Sequence, residues 1–365
     1  MASSILSVAT ALPPHRMEAA EALAMLGSLW PELARFDTKA GELGTRYLCQ
    51  PLDRALAGSG LGDANRAYAM HAQRLGAEAA SLALKAASLD ADRIDLIITV
   101  SCTGYLLPSL DAYLIPELGM RPDVIRLPIT ELGCSGGTAA LALADRHLRA
   151  FPEQHVLVVA VEIPSLTFQA GDHSMDNVTA CLTFGDGAGA AVLGGGRNVR
   201  GLSILGTSSR LIPNTRGVLG FELRGDGFHV VLDRRLPGII ARDLGAAVGD
   251  FATGCGLEAW DFVAAHAAGP RIFRAIESAL ELAPPGLEVS RQVFAEVGNI
   301  SSASIFFTLR RLVESLGSVP AAGLGLGIGP GVSLELMHLA WWPPPPARDE
   351  PGNISKGAPV GTRLE

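Results

Sequence analysis

Nowhere in the 365 residues is there an apolar run of 18, so a membrane-spanning helix is excluded. There is no C-x-x-C pair or other zinc spacing among Cys49, Cys102, Cys134, Cys181 and Cys255. Their odd number in a long chain reads as reduced thiols with no metal site. Basic residues are in deficit: 29 Lys and Arg against 37 Asp and Glu leave a net charge of −8 with no basic stripe, which argues against nucleic acid as a partner. The opening stretch MASSILSVATALPPHRM has no basic leader, and two prolines break its apolar run. It lacks the order of a secretory signal, and the cytoplasm is the expected compartment. Charge is sparse throughout, 18% of residues against 48% hydrophobic, and a chain of this length and balance buries a sizeable core.

What is present is a repeated pattern. Helical periodicity runs over 66–89, a buried strand over 93–102, a helix follows Cys134 after a Pro-punctuated loop, and strands are expected at 155–163 and 187–195. The second half restates this order: helical at 238–252, strand at 260–267, helical at 301–316, strands at 323–329 and 332–341. The economical reading is a duplicated α/β unit, with halves at 1–200 and 201–342. Beyond Trp342 apolar periodicity stops, and the Pro-rich segment 343–365 reads as a disordered tail or a proline-rich ligand.

Cys134 sits in ELGCSGGTAAL, between small residues and just before a helical pattern. Small neighbours leave room for a reactant, and helix N-terminal N–H groups favour a thiolate; a packed free cysteine is the competing reading. A thiolate nucleophile needs an imidazole and an oxyanion donor. Of eight histidines, His266 ends the apolar strand WDFVAAH, where ligand crevices of α/β folds lie, whereas the others occupy polar or helical contexts. In EVGNISSASIF, Asn299 or Ser301 could simply cap the following helix, or the Asn299 amide could donate to a thioester oxygen. GLGLGIGPG does not match G-x-G-x-x-G and opens no helix, so a dinucleotide site is not indicated.

Four ordered motifs, ELGCSGGTAAL, HAAGPRI, GNISSAS and GIGPGVSLE, make the chain resemble a type III polyketide synthase, the chalcone synthase-like branch of the thiolase superfamily, over about residues 1–342. The resemblance implies a five-layered αβαβα thiolase-like fold of two duplicated halves and a homodimer. Leu107 of one copy would reach toward the partner's cavity. It implies decarboxylative Claisen chemistry with Cys134, His266 and Asn299 as catalytic residues, the first two as a thiolate–imidazolium pair. The substrates would be coenzyme A thioesters, malonyl-CoA and an acyl-CoA starter, with no metal and no bound cofactor. Phe184 and Phe228 fall where the family has gatekeeping phenylalanines, though core packing would also explain them. Thr167 and Ser301 fall on cavity positions, and Arg35, Lys39 and Arg46 in the segment that supplies basic contacts to coenzyme A. Two motifs depart from the family: HAAGP, whose Gly269 would contact coenzyme A, replaces His-Pro-Gly-Gly-Pro beside the pantetheine arm, and Ile328 replaces an aromatic residue in the last glycine loop, where it would bear on the shape of the substrate cavity.

Cys102 stands where plant chalcone synthases carry threonine and the bacterial tetrahydroxynaphthalene synthases a second cysteine. Phe221 stands about where those bacterial enzymes have a tyrosine. The resemblance therefore implies synthesis of 1,3,6,8-tetrahydroxynaphthalene from malonyl-CoA alone. A fatty acyl-CoA-primed alkylpyrone or alkylresorcinol synthase, a ketoacyl-carrier-protein synthase III and a non-catalytic partner subunit are the alternatives.

Overall fold

Both faces of the central strands are apolar, and that pattern forces helices onto each side. The computed structural model describes residues 2–31, 33, 43–57, 60–196, 201–283 and 286–343. The first half contains β1 (Ser3–Ala11), β2 (His15–Glu18), α1 (Ala19–Leu29), β3 (Thr45–Leu48), α2 (Leu52–Leu56), α3 (Gly60–Ala87), β4 (Leu96–Val100), α4 (Asp111–Leu118), β5 (Ile125–Ile129), α5 (Gly136–Ala150), β6 (His155–Glu162), α6 (Met175–Thr183) and β7 (Gly187–Gly195). The second contains β8 (Gly201–Leu211), β9 (Leu219–Arg224), β10 (Gly227–Leu232), α7 (Leu236–Cys255), β11 (Phe262–Ala265), α8 (Pro270–Ala279), α9 (Glu288–Val297), α10 (Ser304–Ser315), β12 (Ala321–Gly329) and β13 (Ser333–Trp342).

Hydrogen bonds join nine strands in the order β11-β12-β13-β8-β1-β7-β6-β4-β5, and the halves meet where β1 pairs antiparallel with β8. That seam is short: Ser3, Ser4 and Ile5 face Ile204, Ser203 and Leu202. The pairs β4–β5, β4–β6 and β11–β12 are parallel, as a βαβ crossover requires. Helix α3 covers β1, β6 and β7 from outside, and α7 with α8 covers β8 and β13 on the far side. Helices α5 and α10 touch each other and lie between the half-sheets. The layers read αβαβα, the thiolase-like arrangement.

Period-2 alternation explains the continuous apolar strands. Ile97, Leu157, Val159 and Val161 point to the α3 side, while Ile98, Val100, Val156 and Val158 point to the central layer. Buried alanines on the helices, Ala72, Ala79, Ala80 and Ala83 on α3 and Ala140 and Ala144 on α5, let them lie close to the sheet.

The expected helices and strands are present with shifted ends. The sequence pattern did not mark β1, β2, α1, β3, α2, α4, β5, α6, β8, β9, β10, α8 and α9. Strand β5, IRLPI, contains Pro128 and is exposed along most of its length, so neither alternation nor a buried run marks it. Among the described residues no helix is long and apolar enough to cross a membrane. The tail expectation for 344–365 falls outside the described residues.

Candidate active site

The small residues around Cys134 serve close approach between three loops. Cys134 lies in a 3-10 turn, Gly133–Ser135, that leads into α5. A Cβ on Gly137 would stand 2.1 Å from the Ser302 carbonyl oxygen, and one on Gly133 2.5 Å from the Pro330 ring. From the other side, a Cβ on Gly329 would meet Ser135 Oγ at 2.2 Å and the Leu132 oxygen at 2.7 Å. Glycine is required where backbones touch like this. The glycine-rich end of β12 is thus a wall pressed against the nucleophile turn.

Ser301 links the parts. Its φ of 45° is rare for a residue with a side chain, and it holds Oγ between two thiols, 3.4 Å from Cys134 Sγ and 3.5 Å from Cys102 Sγ. Its N–H donates to Asn299 Oδ1 at 2.9 Å, and Ser304 Oγ reaches the same oxygen at 3.3 Å. With Oδ1 so engaged, the Asn299 amide nitrogen is left to donate, and it lies 3.4 Å from the Ala268 oxygen. The Asn299 side chain therefore holds its own turn, and α10 starts without a side-chain cap. The Ala268 N–H donates to the His266 oxygen at 2.8 Å, and His266 N–H continues the sheet by donating to Leu326. Gly269, at φ 127°, makes the turn into α8, which opens on Pro270. Cys134, Asn299 and His266 are thus joined by consecutive hydrogen bonds through Ser301 and Ala268.

Burial works against both charged members of the expected thiolate–imidazolium pair. Burial pushes the Cys134 thiol up to about 11; the Ser301 hydroxyl draws it down and the Glu162 charge pushes it up. Burial pulls His266 down to about 4, and among the described residues its Nδ1 has no hydrogen-bond partner. Burial by itself thus favours the neutral thiol and the neutral imidazole, the form of His266 that can accept a proton.

Glu162 is a site residue that the pattern reading missed. It ends β6 wholly buried and accepts from Thr103 Oγ1 at 2.8 Å, the Cys102 N–H at 3.1 Å, Cys102 Sγ at 3.4 Å and Ser302 Oγ. Burial raises its carboxyl above the ordinary range, against the pull of those donors. A lone carboxylate closing the apolar run HVLVVAVE at a strand's C-terminal end was the available signal.

The remaining expected positions divide. Phe184 is nearly buried and forms a parallel bridge with Asn299, Gly185 N–H donating to the Asn299 oxygen at 3.0 Å. Phe228 packs edge-on against Phe221 with ring centroids 5.8 Å apart, and lines a cleft with Thr103, Leu166, Phe168 and Gln169. Thr167 is buried, its hydroxyl donating to the Pro164 oxygen at 2.7 Å. Leu107 is 81% exposed.

Two expectations are corrected. Ile328 is not turned toward the Cys134 turn: it sits in the apolar core on the strand face opposite Gly327 and Gly329, the residues that meet that turn. Arg46 is no surface contact for coenzyme A, because it is 1% exposed and donates to backbone carbonyls. Arg35 and Lys39 lie outside the described residues. Among the described residues no cluster of three or more His, Cys, Asp or Glu side chains could hold a metal.

Comparison with known proteins agrees with this geometry. The N-terminal domain model of chalcone and stilbene synthases matches residues 58–197, and the C-terminal domain model matches 203–341. The chain is 36% identical to a 1,3,6,8-tetrahydroxynaphthalene synthase of Streptomyces peucetius subsp. caesius over 93% of both chains. It is 30% identical to a phloroglucinol synthase of Pseudomonas fluorescens over 82% of this chain and 86% of that one. The crystal structure of the tetrahydroxynaphthalene synthase of Streptomyces coelicolor A3(2) superimposes with a TM-score of 0.88 at 34% identity, covering 93% of this chain and 99% of that one. The chain belongs to the chalcone and stilbene synthase family: it is a type III polyketide synthase, an acyltransferase that extends acyl chains from coenzyme A thioesters by Claisen condensation.

Proposed function

We propose that this enzyme makes 1,3,6,8-tetrahydroxynaphthalene from malonyl-CoA alone, with Cys134 as nucleophile, His266 as base and donor, and Asn299 as donor. The observation that carries the reading is Ser301, whose hydroxyl meets both Cys134 and Cys102 while its N–H orients the Asn299 amide. The names of the relatives support the product.

In the first step Cys134 Sγ attacks the thioester carbon, His266 accepts the thiol proton, and coenzyme A leaves as its thiol with that proton. A second malonyl-CoA then loses carbon dioxide: its C–C bond breaks, and the electron pair moves onto the thioester oxygen as an enolate. His266 and the Asn299 amide donate to that oxygen. The enolate carbon attacks the acyl carbon on Cys134, forming the new C–C bond and expelling the thiolate, which then attacks the thioester of the lengthened chain and releases coenzyme A, which takes a proton from water. Repeated rounds consume five malonyl units by analogy with the family, the starter's carboxylate is also lost as carbon dioxide, and two ring closures, one losing water and one expelling the Cys134 thiolate from the chain's thioester, give the aromatic product. Phe184, Phe221, Phe228 and Cys102 shape the passage that holds the growing chain.

The enzyme acts as a homodimer in the cytoplasm, where reduced Cys102 and Cys134 persist. Supporting the dimer, β5 ends the sheet as an open edge with Ile125 at 51% and Leu127 at 36% exposure, and Leu107 stands out nearby at 81%. The test is purified enzyme with malonyl-CoA as sole substrate and mass spectrometry of the products. Tetrahydroxynaphthalene or its oxidation product flaviolin is expected. Product only when a fatty acyl-CoA is added would overturn the malonyl-primed reading.

A further inference from the structure

Among the described residues Arg46 is a buried cation with no anion beside it. Among the described residues its guanidinium bonds only to backbone oxygens: Leu182 from Nε at 3.2 Å and Nη2 at 3.1 Å, Phe294 from Nη1 at 3.3 Å, and Thr45 from Nη1 at 2.7 Å. Its Cζ also lies 4.7 Å from the centre of the Phe294 ring. A buried charge is costly unless something compensates it, so the compensating groups show what holds it there.

Two of the three carbonyls belong to helix ends. Leu182 is in the last turn of α6, where carbonyls lack intrahelical partners, and Phe294 is in the last turn of α9, where its carbonyl also accepts the Gly298 N–H at 2.9 Å; the helix dipole is negative at both ends. One guanidinium thus caps two helix C-termini at once. The chain leaving α6 reaches Phe184 after one residue, and the chain leaving α9 reaches Asn299 after Gly298. These two exits pair directly, with Asn299 N–H donating to the Thr183 oxygen at 2.9 Å and Gly185 N–H to the Asn299 oxygen at 3.0 Å. Gly298 rests on the Arg46 side chain: its φ is +80°, and a Cβ there would lie 2.5 Å from Arg46 Cδ and 2.7 Å from Nε.

We infer that Arg46 is a positioning residue, a two-helix cap that fixes the height of the Gly298–Asn299 turn and so aims the Asn299 amide at the reacting oxygen. It touches no substrate. The inference rests on the reading that Asn299 acts in decarboxylation, so the experiment separates that step from loading of Cys134.

The variants are Arg46→Met, Arg46→Lys, Gly298→Ala and Asn299→Ala. The readouts are malonyl-CoA decarboxylation, its KM, and alkylation of Cys134 by iodoacetamide. Arg46→Met is expected to lower kcat for decarboxylation by about 10²-fold, the effect of a misplacement near 1 Å. KM should stay within about threefold and alkylation within about twofold, because binding and the nucleophile turn are untouched. Arg46→Lys should restore part of the loss, since an ammonium reaches some of the carbonyls but not all three. Gly298→Ala, which lifts the same turn from above, should show the same split, and it carries the test if Arg46→Met does not fold. Decarboxylation intact in Arg46→Met and Gly298→Ala, or lost only in step with alkylation, overturns the positioning role. Full decarboxylation by Asn299→Ala would instead sink the reading of Asn299.

Discussion

Replacing Gly329 by alanine tests whether the end of β12 sets the place of the nucleophile. The added Cβ would fall 2.2 Å from Ser135 Oγ, which can rotate, and 2.7 Å from the Leu132 carbonyl oxygen, which cannot. Ordinary contact begins near 3.4 Å, so the backbone just before Cys134 must withdraw by roughly 0.7 Å. Overpacking of this kind costs about 1–3 kcal/mol, a fall in Tm of a few degrees for a chain of this size. The effect on rate is disproportionate, because misplacing a reacting atom by nearly 1 Å costs about 10²-fold. Gly323→Ala on the same strand is the control: its Cβ would meet Phe262 at 2.0 Å, a similar clash remote from Cys134. Thermal unfolding by circular dichroism and release of carbon dioxide from malonyl-CoA should show two variants alike in stability and unlike in activity. If Gly329→Ala kept the rate of Gly323→Ala at equal loss of stability, the strand would be packing and nothing more.

His266 gives a pH dependence. Its pKa of about 4 when folded lies below the ordinary 6.5, so its contribution to stability is present above 6.5 and is lost as pH falls through 4. Between pH 7 and pH 4 the parent should lose about 3 kcal/mol more than His266→Gln in urea unfolding, and equal losses would contradict the buried neutral imidazole. Ser301→Ala removes a hydroxyl that eases ionisation of Cys134. Iodoacetamide should then react about fivefold more slowly at fixed pH, the worth of one net hydrogen bond, and an unchanged rate would show that the contact is incidental. Ile125→Lys puts a charge on the open edge of β5 and should shift the enzyme from dimer to monomer in sedimentation; a variant still dimeric would move the interface elsewhere.

How much could be read beforehand depended on whether a residue's task was local. Buried strands such as β6 and β7 announce themselves, because each must be apolar on both faces over its whole length. Strand β5 does not, since it is an exposed edge broken by a proline. Cys134, His266 and Asn299 were visible as a thiol before a helix, an imidazole at a strand end and an amide at a glycine turn. Their ionisation was not visible, because it depends on burial and on Glu162, which β6 brings up from another part of the chain. Arg46 was misread for a related reason. Arginine in a polar segment looks solvated until the two helix ends it caps, one of them 248 residues away in sequence, are seen to fold over it. For Ile328 the neighbouring glycines drew attention to the loop, but strand alternation turns its side chain away from Cys134.

The short seam between β1 and β8 has a bearing on assembly. Strand β1 precedes its partners β7 and β8, which begin at residues 187 and 201, so it must wait until the long stretch of chain between them has been made. Such long-range pairing slows folding, and until then β1 is an unsatisfied edge open to other chains. Cys134 comes from the segment before that seam, His266 and Asn299 from the segment after it. Recovery of condensing activity during refolding should therefore lag the recovery of helical signal, which makes turnover a late clock for the closing of the two halves.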